Sequence, residues 1–142
     1  MSLVLYGRSK TGKTTWARSL GSHIYSERVL NAQMADDMEK TAHYAIFDDV
    51  NIKYFPAWKS WFGGMMHISN RLLYRNVKLM NWGRPIIWCN QTDPRIIMRR
   101  SINARDGAGD GDFEEADIDW IEANAMFIHV DDVIATFRAN TE

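Results

Sequence analysis

Residues 7–14 read Gly7-Arg8-Ser9-Lys10-Thr11-Gly12-Lys13-Thr14 and fit the pattern G-x-x-x-x-G-K-[ST] at every position. That spacing is the signature of a phosphate-binding loop. The glycines let the backbone curl so that consecutive N–H groups point at phosphate oxygens. Gly7, Arg8, Ser9, Lys10, Thr11, Gly12, Lys13, Thr14 and the following Thr15 are therefore the expected nucleotide-binding residues. Lys13 would reach the β- and γ-phosphates of ATP, and Thr14 would place its hydroxyl on Mg²⁺.

A phosphate loop needs partners, because the metal must be held on a second side and hydrolysis needs a positioned water. Asp48-Asp49 closes the apolar run 42–47 and meets both needs. Asp48 would hold the metal through water, since Mg²⁺ dehydrates reluctantly. Asp49 would orient or deprotonate the attacking water. Asn90 ends another apolar run, Ile86-Ile87-Trp88-Cys89. Its amide both donates and accepts, so it would bridge the γ-phosphate and that water.

These groups work only if strands deliver them to one edge. Leu3-Val4-Leu5-Tyr6 reads as a buried strand entering the loop, and residues 15–20 read as a helix stopped by Gly21. The runs before Asp48 and Asn90 read as two further buried strands. Residues 33–40 read as a solvent-facing helix, and Pro56 as the first residue of a helix running to Phe62, stopped by Gly63-Gly64. Residues 65–82 suggest a β-hairpin or an extended loop. Residues 95–102 read as a short basic helix, 114–124 as a helix, 125–130 as a strand and 132–138 as a last helix. The Gly/Asp-rich stretch 106–112 reads as a surface loop, lacking the ligand spacing and closing Glu of a calcium loop. Active residues at strand ends place the site at the carboxyl ends of a mostly parallel sheet. The expected fold is an α/β three-layer sandwich.

The length of 142 residues suits one domain with a single core. One cysteine, Cys89, excludes an internal disulfide and a Cys-rich zinc site. No apolar run is long enough to span a membrane, and no leader precedes the first strand, which predicts an intracellular protein. The first strand starts almost at Met1, which predicts a domain cut from a longer chain. Net charge is −1, but residues 51–105 carry ten basic side chains against one acidic, Asp93. Residues 106–142 carry eleven acidic side chains against one basic, Arg138. Such asymmetry marks either a polyanion-binding segment or two segments that pair within the fold. Trp58, Trp61 and Phe62 stand at i, i+3 and i+4, so they are expected to pack a helix on the core rather than stack on bases.

The order of loop, strand-Asp-Asp, basic hairpin region and strand-Asn resembles the superfamily three helicases. It is more similar still to the replication initiators (Rep) of circular single-stranded DNA viruses of the geminivirus and genomovirus type. The stretches GRSKTGKTTWARSL at 7–20, AIFDDV at 45–50, WKSWFGG at 58–64, Tyr74, Trp82-Gly83-Arg84-Pro85, Trp88-Cys89-Asn90 and Asp93-Pro94-Arg95 carry the likeness, which continues weakly through 120–130. The resemblance implies an AAA+-like P-loop ATPase that forms a ring, usually hexameric, around single-stranded DNA in the host nucleus, with nucleotide between subunits. Its Walker A, Walker B and motif C fall on residues 7–14, Asp48-Asp49 and Asn90. Its hairpin falls on about 64–78, with Arg71, Tyr74, Arg75 and Lys78 as expected DNA contacts. The lysine that geminivirus relatives carry before the hairpin tyrosine is Leu73 here. Nothing matches the endonuclease half of full-length relatives.

A ring ATPase takes an arginine from a neighbouring subunit. Arg95, Arg99, Arg100 and Arg105 all follow Asn90, and Arg95 sits in the family-like Asp-Pro-Arg run. The competing reading is a small-molecule phosphotransferase, a kinase with residues 95–105 as its basic lid. The isolated domain is expected to be a weak, monomeric ATPase.

Overall fold

The computed structural model describes residues 1–27, 42–65, 67–71, 77–104 and 111–132, with 67–71 and 77–81 described as backbone. Five parallel strands form the main sheet: β1 (Ser2–Tyr6), β2 (His23–Glu27), β3 (Tyr44–Asp48), β6 (Ile86–Asn90) and β7 (Ala125–His129), in the order β2-β3-β6-β1-β7. Strands β4 (His67–Arg71) and β5 (Val77–Asn81) pair antiparallel as a separate ribbon. Among the described residues the α-helices are α1 (Lys13–Arg18), α2 (Trp58–Phe62), α3 (Pro94–Asn103) and α4 (Glu115–Asn124), and Ile52–Tyr54 form a 3-10 turn.

Parallel strands buried on both faces read as continuous apolar runs, as β3 and β6 do. Alternation then sends neighbours to opposite faces. On one face Val4, Phe47, Ile86 and Trp88 pack with Trp61, Phe62, Met98 and Ile121. On the other face Leu5, Ile46, Ile87 and Cys89 pack with Ala17 and Trp16 of α1. Helices on both faces make the expected three-layer α/β sandwich. Trp61 and Phe62 are wholly buried, which is the helix-to-core packing their spacing predicts. Ser2 ties the layers together: its hydroxyl donates to Phe62 O at 2.8 Å and accepts from Ile86 N–H at 3.1 Å.

Two boundaries and one strand differ from the sequence reading. Helix α1 begins at Lys13 and ends at Arg18, because Gly12 at φ 89° turns the chain into it and Ser19 N–H closes it on Trp16 O. Helix α2 begins at Trp58, not Pro56, because Ala57 sits in the left-handed region at φ 57° and caps it. Strand β2 was not anticipated: His23, Tyr25 and Glu27 alternate with Ile24 and Ser26, so no continuous apolar run marks it. The helix read at 33–40, that read at 132–138 apart from Asp132, and most of the 106–112 loop lie outside the described residues.

The opposite charges of the two segments meet within the fold. Lys53 pairs with Asp112 at 3.1 Å, Lys59 with Asp117 at 2.7 Å, Arg95 with Glu122 at 3.5 Å, and Arg99 Nη2 donates to Glu115 at 3.0 Å. Four of the ten basic side chains in 51–105 are therefore paired in place with the acidic segment. No helix among the described residues is long and apolar enough to cross a membrane.

Candidate nucleotide site

The sheet register brings the sequence-predicted residues to one edge. Tyr6 pairs with Asn90 across β1 and β6, and Asp48 with Cys89 across β3 and β6. The loop leaves β1 at Gly7, whose N–H donates to Asn90 O at 3.2 Å. A Cβ at Gly7 would lie 2.0 Å from Val130 O, and φ is 144°, so only glycine fits there.

Among the described residues, no N–H from Arg8 to Gly12 donates to a backbone carbonyl. Such a run of unspent donors on a tightly turned loop suits an anion with several oxygens. Lys13 is 7% exposed. Its Nζ donates to Gly7 O at 3.0 Å, Arg8 O at 2.6 Å and Thr11 Oγ1 at 3.1 Å. The ammonium thus holds the loop closed from inside and must exchange at least one of these partners to reach a phosphate. Burial lowers its pKa, while Cys89 and Asp48 oppose that shift. The Cys89 thiol is pushed up to about 12, chiefly by burial and then by the Asp48 charge, so it stays protonated at neutral pH.

The geometry joins Thr14 to Asp48. Thr14 Oγ1 donates to Asp48 Oδ2 at 3.0 Å. A hydroxyl and a carboxylate facing each other, with the loop alongside, fit an octahedral Mg²⁺ that keeps waters and phosphate oxygens as its other ligands. No group of three or more His, Cys, Asp or Glu that would cage a metal occurs among the described residues.

Sequence reasoning missed Tyr25. Its hydroxyl donates to the same Asp48 Oδ2 at 2.7 Å, and the Arg18 guanidinium lies 4.5 Å from its ring centroid. Burial first, then the Asp48 hydrogen bond, raises the phenol pKa, so it remains a donor. Tyr25 thus fixes one oxygen of the Asp48 carboxylate, and would position that carboxylate if it holds a metal. Tyr25→Phe is expected to raise the Mg²⁺ concentration for half-maximal turnover about tenfold, the usual scale for losing an outer-shell partner. Nucleotide binding without Mg²⁺ should be unchanged, and an unaltered Mg²⁺ titration would refute the role.

Asp49 is exposed and sits at φ 57°, with its N–H on Cys89 O at 2.9 Å. The left-handed turn takes its side chain out of the strand's alternation. Asn90 Oδ1 accepts from Gln91 N–H at 2.7 Å and its Nδ2 donates to Val50 O at 3.4 Å. The amide is therefore anchored beside the strand end.

Arg95 is engaged within the chain. Its guanidinium donates to both oxygens of Asp93, down to 2.7 Å, and lies 4.0 Å over the Phe127 ring. The same Asp93 caps α3 by accepting Arg95 N–H, with Pro94 at the first helical position. Asp-Pro-Arg is thus a helix start as well as a candidate motif. Arg99 is paired with Glu115. Arg100 is exposed and forms no ion pair with the described residues, and Arg105 lies outside them. Of the expected DNA contacts, Arg71 ends β4 opposite Val77, and Lys78 lies in β5 opposite Asn70. Tyr74 and Arg75 lie outside the described residues.

The chain is similar to curated replication-associated proteins of geminiviruses. It is 39% identical over 101 residues to that of Bean yellow dwarf virus, which is 70% of this chain and 29% of that protein. It is 31% identical over 124 residues to that of Miscanthus streak virus (isolate 91), covering 87% and 31%. It is 29% identical over 129 residues to that of Chloris striate mosaic virus, covering 91% and 32%. The chain spans less than a third of the length of these relatives. No protein-family model matches it.

Proposed function

We propose that the chain is the ATP-hydrolysing motor domain of a viral replication initiator, a superfamily three helicase that draws single-stranded DNA through a ring of subunits in the host nucleus. The observation that carries the reading is the Thr14–Asp48 hydrogen bond at 3.0 Å beside the phosphate loop. It brings together a hydroxyl and a carboxylate from different elements, which supports a nucleotide-bound metal held between them. The similarity to geminivirus replication-associated proteins supports the replication role.

Each residue then has a task. The N–H groups of the loop and Lys13 bind the phosphates and offset their charge. Thr14 and Asp48 would hold Mg²⁺, which would supply positive charge against the phosphates. Asp49 orients the attacking water and takes its proton, and Asn90 fixes that water against the γ-phosphate. An arginine from α3 of a neighbouring subunit meets the charge that builds up in transfer. Arg95 would have to leave Asp93 to do so; Arg100 would not. Arg71 at the end of β4 and Lys78 in β5, with Tyr74 and Arg75, contact the DNA.

The kinase reading needs a basic lid that closes over substrate. Arg95 and Arg99 are instead tied to Asp93, Glu122 and Glu115, so no observation favours it. The test is binding of a single-stranded oligonucleotide across salt, alongside a screen for phosphate transfer to nucleosides. Backbone-directed binding should weaken steeply between about 50 and about 200 mM salt. Salt-insensitive binding together with transfer to a small acceptor would reverse the assignment.

A further inference from the structure

The carboxyl edge of the sheet continues past the phosphate loop. Across that edge stand Asp48 on β3, Asn90 on β6, Tyr6 on β1 and, paired with Tyr6, His129 on β7. The metal-side pair Thr14 and Asp48 fixes which way a triphosphate would run. Asp48 lies two strands from β1 on one side, so a γ-phosphate directed at it sends the nucleoside toward the other side. There β7 is the next strand.

At that point the His129 and Tyr6 rings stack, with centroids 5.0 Å apart and planes 13° from parallel. Tyr6 is half-buried and braced against the core, whereas His129 is exposed. The backbone behind the pair is locked to the loop. Val130 N–H donates to Tyr6 O at 2.7 Å, and Val130 O packs so closely on Gly7 that no side chain fits between them. The two rings therefore hold a fixed position beside the first residue of the phosphate cradle. An exposed aromatic ring backed by a second ring offers a flat, pre-ordered surface at little entropic cost, which is what a heteroaromatic base stacks on.

We propose that His129, braced by Tyr6, is the platform for the base of the bound nucleotide. The proposal rests on the nucleotide-site reading above and adds the ligand class: a nucleoside triphosphate recognised by its aromatic face as well as by its phosphates.

The experiment measures binding of ATP and of inorganic tripolyphosphate, each with Mg²⁺, to the unaltered chain, His129→Ala and His129→Phe. His129→Ala should weaken ATP about tenfold, within the range for loss of one base–aromatic stack. Its affinity for tripolyphosphate should not change. His129→Phe keeps a ring and should retain most of the ATP affinity, which also separates lost stacking from a disturbed fold. Equal weakening of both ligands by His129→Ala, or no weakening of ATP, would overturn the platform. An unaltered chain that binds tripolyphosphate as tightly as ATP would overturn the platform and leave the phosphate site standing. A chain that binds neither would overturn the nucleotide site and the platform with it.

Discussion

Lys13→Ala is expected to lower kcat/KM for ATP by at least about 10²-fold, the scale for removing one pre-placed charge stabiliser. Two losses combine. The variant lacks the cation that would face the β- and γ-phosphates. It also strips Gly7 O and Arg8 O of their ammonium donor, so the loop loses its internal strut. Leaving a buried acceptor unmet costs about 1–3 kcal/mol. The fold should persist nonetheless, because Lys13 belongs to neither core cluster and its ammonium bonds only loop atoms. Circular dichroism and thermal melting check that point, while equilibrium nucleotide binding and steady-state turnover check the chemistry. Normal turnover in Lys13→Ala would remove the loop from the mechanism.

Asp49→Asn is expected to bind Mg²⁺–ATP as well as the unaltered chain and to lose hydrolysis, with kcat lowered by about 10²–10⁴, the range for general acid–base catalysis. The substitution suits this site for a backbone reason. Asp49 sits at φ 57°, a left-handed conformation that asparagine adopts readily and that alanine resists. Asparagine therefore keeps the turn and the N–H bond to Cys89 O while removing the basic carboxylate. Single-turnover hydrolysis and binding measured on the same preparation separate the two effects. Unchanged hydrolysis would transfer the base role away from Asp49.

The residues of the candidate site were legible as candidates because each announces itself locally. A glycine-framed loop with Lys and Thr, and polar residues terminating the buried runs before Asp48 and Asn90, are patterns in contiguous sequence. The parallel three-layer sheet followed from those runs. The Tyr25 hydrogen bond to Asp48 was not legible, since it depends on β2 pairing with β3 and spans 23 positions. A five-residue strand that alternates His, Ile, Tyr, Ser and Glu carries no strong periodic signal. The engagement of Arg95 was equally hidden: Asp93 is a near neighbour, but Glu122 and Phe127 reach it only through tertiary packing. The charge asymmetry was visible as composition, yet deciding between a polyanion surface and internal pairing needed coordinates. They show pairing at Lys53, Lys59, Arg95 and Arg99. His129, like the other three histidines, shows no metal-ligand spacing in sequence, and its stack on Tyr6 depends on β7 pairing with β1.

The most direct measurement is the ATP hydrolysis rate with and without single-stranded DNA over a series of protein concentrations. The account predicts a weak basal rate, a rise in rate per chain as concentration drives subunits together, and stimulation by DNA. A rate per chain that is independent of both concentration and DNA would contradict it.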